Sequence, residues 1–558
     1  MRLELQAEPE DIARLGSFKP LAAVREGRAR TQPVKRVWHD SATRSLLETG
    51  LTLTESRGTW SLERVLPGGE TWLPGQPPPV EASGDSPRAL RDALPESDDA
   101  PGASPWIPLA AFEGRRSISL HRVDGMLLTM SVERGVLRSV AAERQAARLL
   151  LEGEDTAVHA TALQIAGAFA VRIPTASLAA EGIALATGRK PPPRHLGAPR
   201  LPDPDMPITD GLAHILGHLT DVILFHAPAA CQPDGPEDAE TRRIEAVHQM
   251  RVATRRALSA VSIFRHVLPP GALDPVHAAL RVLGKALSHS RDWDVFVTQT
   301  APMVRAQLPD DARLGKLIAA AERQRRDYRS ALADYLLGAD FRRLGIELAW
   351  FAAARSWQAA AVAGAGAAGS APPADDTGPG GMGSGAGPHD ARPHDAGPRD
   401  AGPHDAGAGD TRSDGAAADT VEADDQPPMS VGHFGPGVVR HRWKKMVRAG
   451  KGIEDLDIPA LHALRLRAKR ARYAAEMFSS LDEGKATQRT IRRIAELQDA
   501  LGVLNDGAVA AHLMEELGGP GGRHGYAVGL VIGFTAARSA RIRPDIERAF
   551  HKMRKRDG

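Results

Sequence analysis

His248, Arg251 and Arg255 follow one another at three and four residues, and the same spacing recurs at His462, Arg465 and Lys469. On a helix turning about 100° per residue, each trio falls within about 60°. The opposite side of the first segment carries Met250, Ala253, Ala257, Val261 and Phe264, an apolar stripe suited to a core. In the second, Tyr473 joins the cationic face, with Leu464, Ala471 and Phe478 opposite. Arg256 and Arg470 flank the two stripes, and Arg281 and Lys285, four residues apart on the next segment, extend the first. Surface helices usually mix charge signs at i,i+4, because opposite charges attract and like charges repel. A row of one sign implies that an anion is the missing partner. Arginine's planar fork donates two parallel hydrogen bonds to phosphate and stays charged, and histidine adds a donor that titrates near neutrality.

The two trios belong to longer paired segments. Residues 247–257 align with 461–471 at a constant offset of 214, which also carries Phe264 onto Phe478, Lys285-Ala286-Leu287 onto Asp499-Ala500-Leu501, and Arg291-Asp292 onto Asn505-Asp506. One offset across two helices and their loop points to a duplicated helical unit. A cationic face met once is most simply a solvated surface; its recurrence in both copies weakens that alternative. The duplication predicts a groove between two equivalent faces, suited to a linear polyanion.

Charge is distributed unevenly around this unit. The formal net charge is only +2, yet residues 437–558 hold 24 Lys+Arg against 14 Asp+Glu, whereas 358–436 hold 3 against 12. The latter stretch is built from Ala, Gly, Pro, Asp and His, with pentads such as Gly-Pro-His-Asp-Ala. It buries too little apolar surface to offset chain entropy and is expected to be disordered. The reading is a basic module carrying an acidic tether, whose anion binding weakens with salt.

The chain has 558 residues and 42% hydrophobic composition, enough for two or three domains. Residues 1–200 read as mixed α/β, with strand-like alternation at 51–54, 59–62 and 117–120 and a loose Pro/Gly/Asp-rich loop from Pro74 to Pro105. Helical periodicity follows over 205–357 and again over 437–558. The single Cys231 excludes an intramolecular disulfide and cysteine-based zinc sites. The first residues lack the apolar core of a signal peptide. The longest apolar run is taken as Tyr526 to Ala537, short of the roughly 20 residues that span a bilayer. A soluble, cytoplasmic protein with no membrane association is expected.

The pattern His248-x-x-Arg251-x-x-x-Arg255-Arg256 with Arg291-Asp292-x-Asp294, paired with His462-x-x-Arg465-x-x-x-Lys469-Arg470 and Leu504-Asn505-Asp506, resembles the CHAD family, the conserved-histidine α-helical domain. The resemblance covers about 205–357 and 437–558. It implies two pseudosymmetric helical bundles around a basic groove that binds inorganic polyphosphate through His248, Arg251, Arg255, Arg256, Arg281, Lys285, His462, Arg465, Lys469, Arg470 and Tyr473. Residues 1–200 resemble a CYTH domain, an antiparallel β tunnel or barrel, at Met1–Gln6, Trp38-His39-Asp40-Ser41 and Ser177–Gly182. Tunnel enzymes of that family need several carboxylates for a divalent metal and several cations for triphosphate. Here Arg2, Gln6, Leu178 and Glu181 stand at positions of other charge, and Glu4 alone remains of the opening motif.

The expected architecture is thus α+β and multidomain: a degenerate CYTH-like domain at 1–200, a first CHAD repeat at 205–357, an acidic insert at 358–436 and a second repeat at 437–558. The expected function is non-catalytic polyphosphate binding, with polyphosphate granules as a candidate partner and no catalytic residue, metal or cofactor. Two alternatives stand beside it: an inorganic triphosphatase fed by the helical module, and a non-specific nucleic-acid binder. The second lacks any helix-turn-helix, zinc-finger or RRM signature, and its stripes lack stacking aromatics other than Tyr473.

Overall fold

The computed structural model describes residues 1–66, 72–94, 106–193, 195–233, 235–355 and 429–555. The first domain consists of β1 (Arg2–Ala7), α1 (Pro9–Leu15), α2 (Lys19–Ala23), β2 (Arg25–Asp40), α3 (Ser45–Glu48), β3 (Leu51–Ser56), β4 (Thr59–Arg64), β5 (Val80–Gly84), β6 (Ile107–Val123), β7 (Met126–Ser139), β8 (Glu143–Gly153), α4 (Asp155–Ala168) and α5 (Leu178–Thr187). All three expected strands are present, as β3, β4 and part of β6. The stretch expected as a loop from Pro74 to Pro105 departs from that reading: it contains β5 and a 3-10 helix at Pro87–Ala93, while 95–105 lies outside the described residues.

The eight strands form one antiparallel sheet in the order β1-β8-β7-β6-β2-β3-β4-β5. It is not closed, which corrects the expected barrel: β1 and β5 remain edges. Residues 72–79 cross the gap instead. Glu4 N donates to Gly75 O at 2.5 Å, but Pro77, Pro78 and Pro79 have no N–H with which to continue a ladder. At the middle of β6 and β7, Gly114 and Gly135 face each other, and a Cβ on either would lie 2.2 Å from a backbone oxygen of the other strand.

The helical part comprises α6 (Ile208–Ala230), α7 (Glu237–Phe264), α8 (Asp274–Val295), a π-helical turn (Phe296–Thr300), α9 (Ala301–Arg305), α10 (Ala312–Leu337), α11 (Ala339–Ala354), α12 (Val431–Ala449), α13 (Ile458–Met477), α14 (Lys485–Glu516), α15 (Gly525–Arg541) and α16 (Arg543–Arg554). Side-chain caps start several of these by accepting a free first-turn N–H: Asp311 for α10, Ser430 for α12 and Asp457 for α13. The expected acidic insert lies outside the described residues up to 428, but its last residues do not follow the expectation. α12 starts at Val431, and Gly435-Pro436-Gly437 inside its first turns hides that start, so that helical periodicity shows only from 437.

The longest apolar run is α6, not 526–537. It is long and apolar enough to cross a membrane by composition, and 83% of its apolar window is buried inside the protein. Its neighbours account for that composition, since it packs between α7 and α11. One apolar cluster runs from Leu3, Leu5 and Leu149 of the sheet through Ile165 of α4 and Leu216 of α6 to Phe264 of α7 and Phe478 after α13. A second joins Trp293 and Leu317 to Leu513 and Val528. The start of α12 is stitched to the chain ahead of α6: Val431 N donates to Met206 O at 2.9 Å, Ile208 N to Met429 O at 3.1 Å, and Pro207 bridges Ser430.

Two predictions follow from this packing. Phe264 is fully buried and its ring centroid lies 6.4 Å from that of Phe478; Phe264→Ala is expected to lower unfolding free energy by about 3–5 kcal/mol, read by urea denaturation. Burial also pushes His218 down to about 3, so the folded state holds it neutral. Below pH 6.5 the unfolded chain takes up a proton that the folded one refuses. Stability is therefore expected to fall with pH from 6.5 towards 3, by up to about 1.4 kcal/mol per unit from this group. Replacing His218 with Gln is expected to flatten that slope in denaturation series across the window.

Candidate anion-binding cleft

The cationic residues of the first half sit on the middle of α7, whose buried side is Met250, Ala253, Ala257 and Phe264, as the helical spacing requires. His248, Arg251 and Arg255 are half-buried on the other face. Burial holds His248 below its usual range, and Arg291, Arg251 and Arg255 press in the same direction against Glu245. Arg251 reaches across to α8, donating from Nε to Ser288 Oγ at 3.3 Å and pairing with Asp292 at 3.6 Å. Arg281 and Lys285 are exposed on α8, two turns and one turn before Ser288, on the face that meets Arg251.

In the second half, α13 presents exposed His462, half-buried Arg465 and buried Lys469. Arg465 donates to Asn505 Oδ1 of α14 at 2.7 Å. Where Asp292 orients Arg251 with a charge, Asn505 orients Arg465 with a neutral amide. The two halves meet electrostatically at Asp506: burial raises its carboxyl above the ordinary value, Asp292 of the other half adds to this, and Arg465, Arg538 and Lys469 oppose it. Both motifs therefore lie within Coulomb range of one another.

The flanking residues have other surroundings. Arg256 is engaged with Glu476 at 2.9 Å, a carboxylate that Arg472 also holds at 2.7 Å, so it ties α7 to the end of α13. Arg470 is exposed beside Arg442, whose guanidinium is pushed down to about 10 by burial and by Arg470. Tyr473 is half-buried one turn beyond Lys469. Sequence reasoning passed over Arg291 as a site residue although it belongs to the motif, and missed Arg538, which comes from α15 and has no counterpart at the repeat offset. It also passed over the cations Arg440, Lys444, Lys445 and Arg448 of α12, a helix with no acidic residue. The half-buried Cys231 is pushed up to about 11 by burial and is no nucleophile near neutrality.

The concave side of the sheet holds a second charged space, a cavity of about 350 Å³ lined by Glu4, Arg36, Arg116, Glu133 and Arg148, among others. Besides Glu4, which alone remains of the opening motif, the carboxylates Glu63, Glu133 and Glu152 from other strands line it. These charges are already matched. Arg148 bridges Glu4 at 3.1 Å and Glu181 at 3.0 Å, and Glu133 is clamped by Arg36 and Arg116. A divalent ion needs converging oxygens, and here guanidinium groups stand between them. Among the described residues no group of three or more His, Cys, Asp or Glu can hold a metal. The donor set does not fit the divalent ion that the tunnel-like resemblance implies.

Among solved structures, the chain is similar to the CHAD domain from the plant Ricinus communis, at 24% identity and TM-score 0.45, covering 64% of this chain and 96% of that one. It is also similar to PptA from Streptomyces chartreusis, at 14% identity and TM-score 0.35, covering 62% and 99%. HpAC1 from Hippeastrum, an adenylyl cyclase candidate described by its dominant triphosphatase activity, is similar at 15% identity and TM-score 0.24, covering 34% and 95%. No curated protein matches the chain. The family model of the CHAD domain matches residues 215–515, over half of the chain, from the first turns of α6 to the end of α14 and across both His-x-x-Arg motifs. The chain belongs to the CHAD domain family.

Proposed function

We propose that the protein binds inorganic polyphosphate, without hydrolysing it, along the cleft between α7–α8 and α13–α14. The observation that carries this reading is the convergence of Arg251, Arg255 and Arg291 from one half with Arg465, Lys469 and Arg538 from the other around Asp292 and Asp506. Cations held this close repel one another, and a dense linear polyanion removes that repulsion while releasing condensed counterions. Family membership supports the same ligand. Duplex DNA offers phosphates at wider spacing and serves as the competitor in the test.

Charge reversal tests the cleft. The double variants Arg251→Glu/Arg255→Glu and Arg465→Glu/Lys469→Glu are each expected to weaken binding to long-chain polyphosphate at least about tenfold at low salt and to flatten its salt dependence. Circular dichroism monitors helicity in both. Wild-type affinity in both folded variants sinks the proposal, and equal competition by DNA at matched phosphate concentration turns it towards a general polyanion binder.

The absence of turnover rests on the matched charges of the concave cavity. Full-length protein incubated with triphosphate and magnesium or manganese is expected to release no phosphate above the protein-free rate. Metal-dependent release that disappears in Glu4→Gln would establish the cavity as a working triphosphatase site.

A further inference from the structure

The convex side of the same sheet carries a cleft that neither the polyanion-binding reading nor the concave cavity uses. Along β6 and β7 side chains alternate between faces. Arg116 and Glu133 point into the concave cavity, while their neighbours Arg115 and Arg134 line a separate cleft of about 310 Å³ on the other side. Arg115 and Arg134 are directly opposite in the strand register. Like charges at that position destabilise a sheet, and both are exposed with no ion-pair partner among the described residues. Arg25 lines the same cleft from β2, and no carboxylate does.

The rest of the cleft is built for more than a counterion. Its floor is apolar: exposed Ala13 and Ala22 and half-buried Val132, backed by the buried Leu15, Leu21 and Met130. Its back wall is fixed by buried polar groups. His121 Nδ1 donates to Leu21 O at 3.1 Å, and its Nε2 accepts from Ser119 Oγ at 2.9 Å. This pair pins α2 over the strand and leaves His121 neutral, its burial holding it below the usual range. From Arg115 to His121 the strand advances roughly 20 Å at about 3.3 Å per residue, so the cleft is elongated, with its paired cations at one end. Its volume sits at the small end of ligand cavities, about 300–1,000 Å³.

We infer that this cleft binds a free medium-chain acyl or alkyl anion, its carboxylate or phosphate monoester head held by Arg115 and Arg134 and its chain laid over Ala13, Ala22 and Val132. Arginine forks match both head groups bidentately, and a bound anion relieves the cross-strand repulsion that the free protein carries. The apolar floor selects against inorganic phosphate, and the arginines select against a neutral alcohol.

The test is calorimetric titration of the full chain with decyl phosphate and decanoate below their micellar concentrations, against decanol and inorganic phosphate. One site is expected for the two amphipathic anions, with both controls at least about tenfold weaker. The variant Arg115→Gln/Arg134→Gln is expected to lose at least about tenfold in decyl phosphate affinity and to melt higher than wild type when ligand-free. Its polyphosphate affinity is expected to stay unchanged, which separates this site from the helical cleft. Ala22→Trp, at an exposed position lining the cleft, is expected to block the chain-binding floor with all charges retained. Absence of decyl phosphate binding to wild type, undiminished binding in the double arginine variant, or equally strong binding of inorganic phosphate overturns the inference.

Discussion

Cations gathered on one cleft push each other apart, so something other than their own interactions must hold them. In this protein that task falls to the contact between α7 and α13. Phe264 and Phe478 pack together at its base, and Arg256 joins Glu476 across it. Each motif helix therefore faces its partner with an apolar and ion-paired back, and its cationic front looks the other way. Asp292 and Asn505 then fix where the guanidiniums of Arg251 and Arg465 point.

The sheet domain shows the opposite arrangement on its concave side and a similar one on its convex side. Glu4, Arg148 and Glu181, like Arg36, Glu133 and Arg116, satisfy each other within the cavity. Such a set has little to gain from a metal or a phosphate chain, because either would first have to break an existing pair. On the convex side Arg115 and Arg134 have no such match. Two faces of the same strands thus differ in electrostatic completeness through a one-residue alternation.

Much of the helical part was legible because its residues repeat at a fixed offset and a helical period. His248, Arg251 and Arg255, and His462, Arg465 and Lys469, could be placed on faces from spacing alone. Arg538 could not, since it reaches the cleft from α15 through tertiary packing. The first turns of α12 escaped notice because Gly435-Pro436-Gly437 imitates a linker, and the core role of α6 because His214, His218, Asp221 and His226 break up its apolar residues. In the sheet domain, comparison with a motif tracked the positions where charge had been lost. The matched charges, and the face on which each arginine lies, depend on register between strands distant in sequence, such as Glu4 with Leu150 and Arg115 with Arg134. Local pattern carries no information about such pairings.

The hydrogen bonds between Val431 and Met206 and between Ile208 and Met429 have a consequence for how such a protein tolerates change. They fix the return point of the chain independently of what lies between α11 and α12. The two halves thus keep their distance at the seam itself, whatever the number of residues that separates α11 from α12.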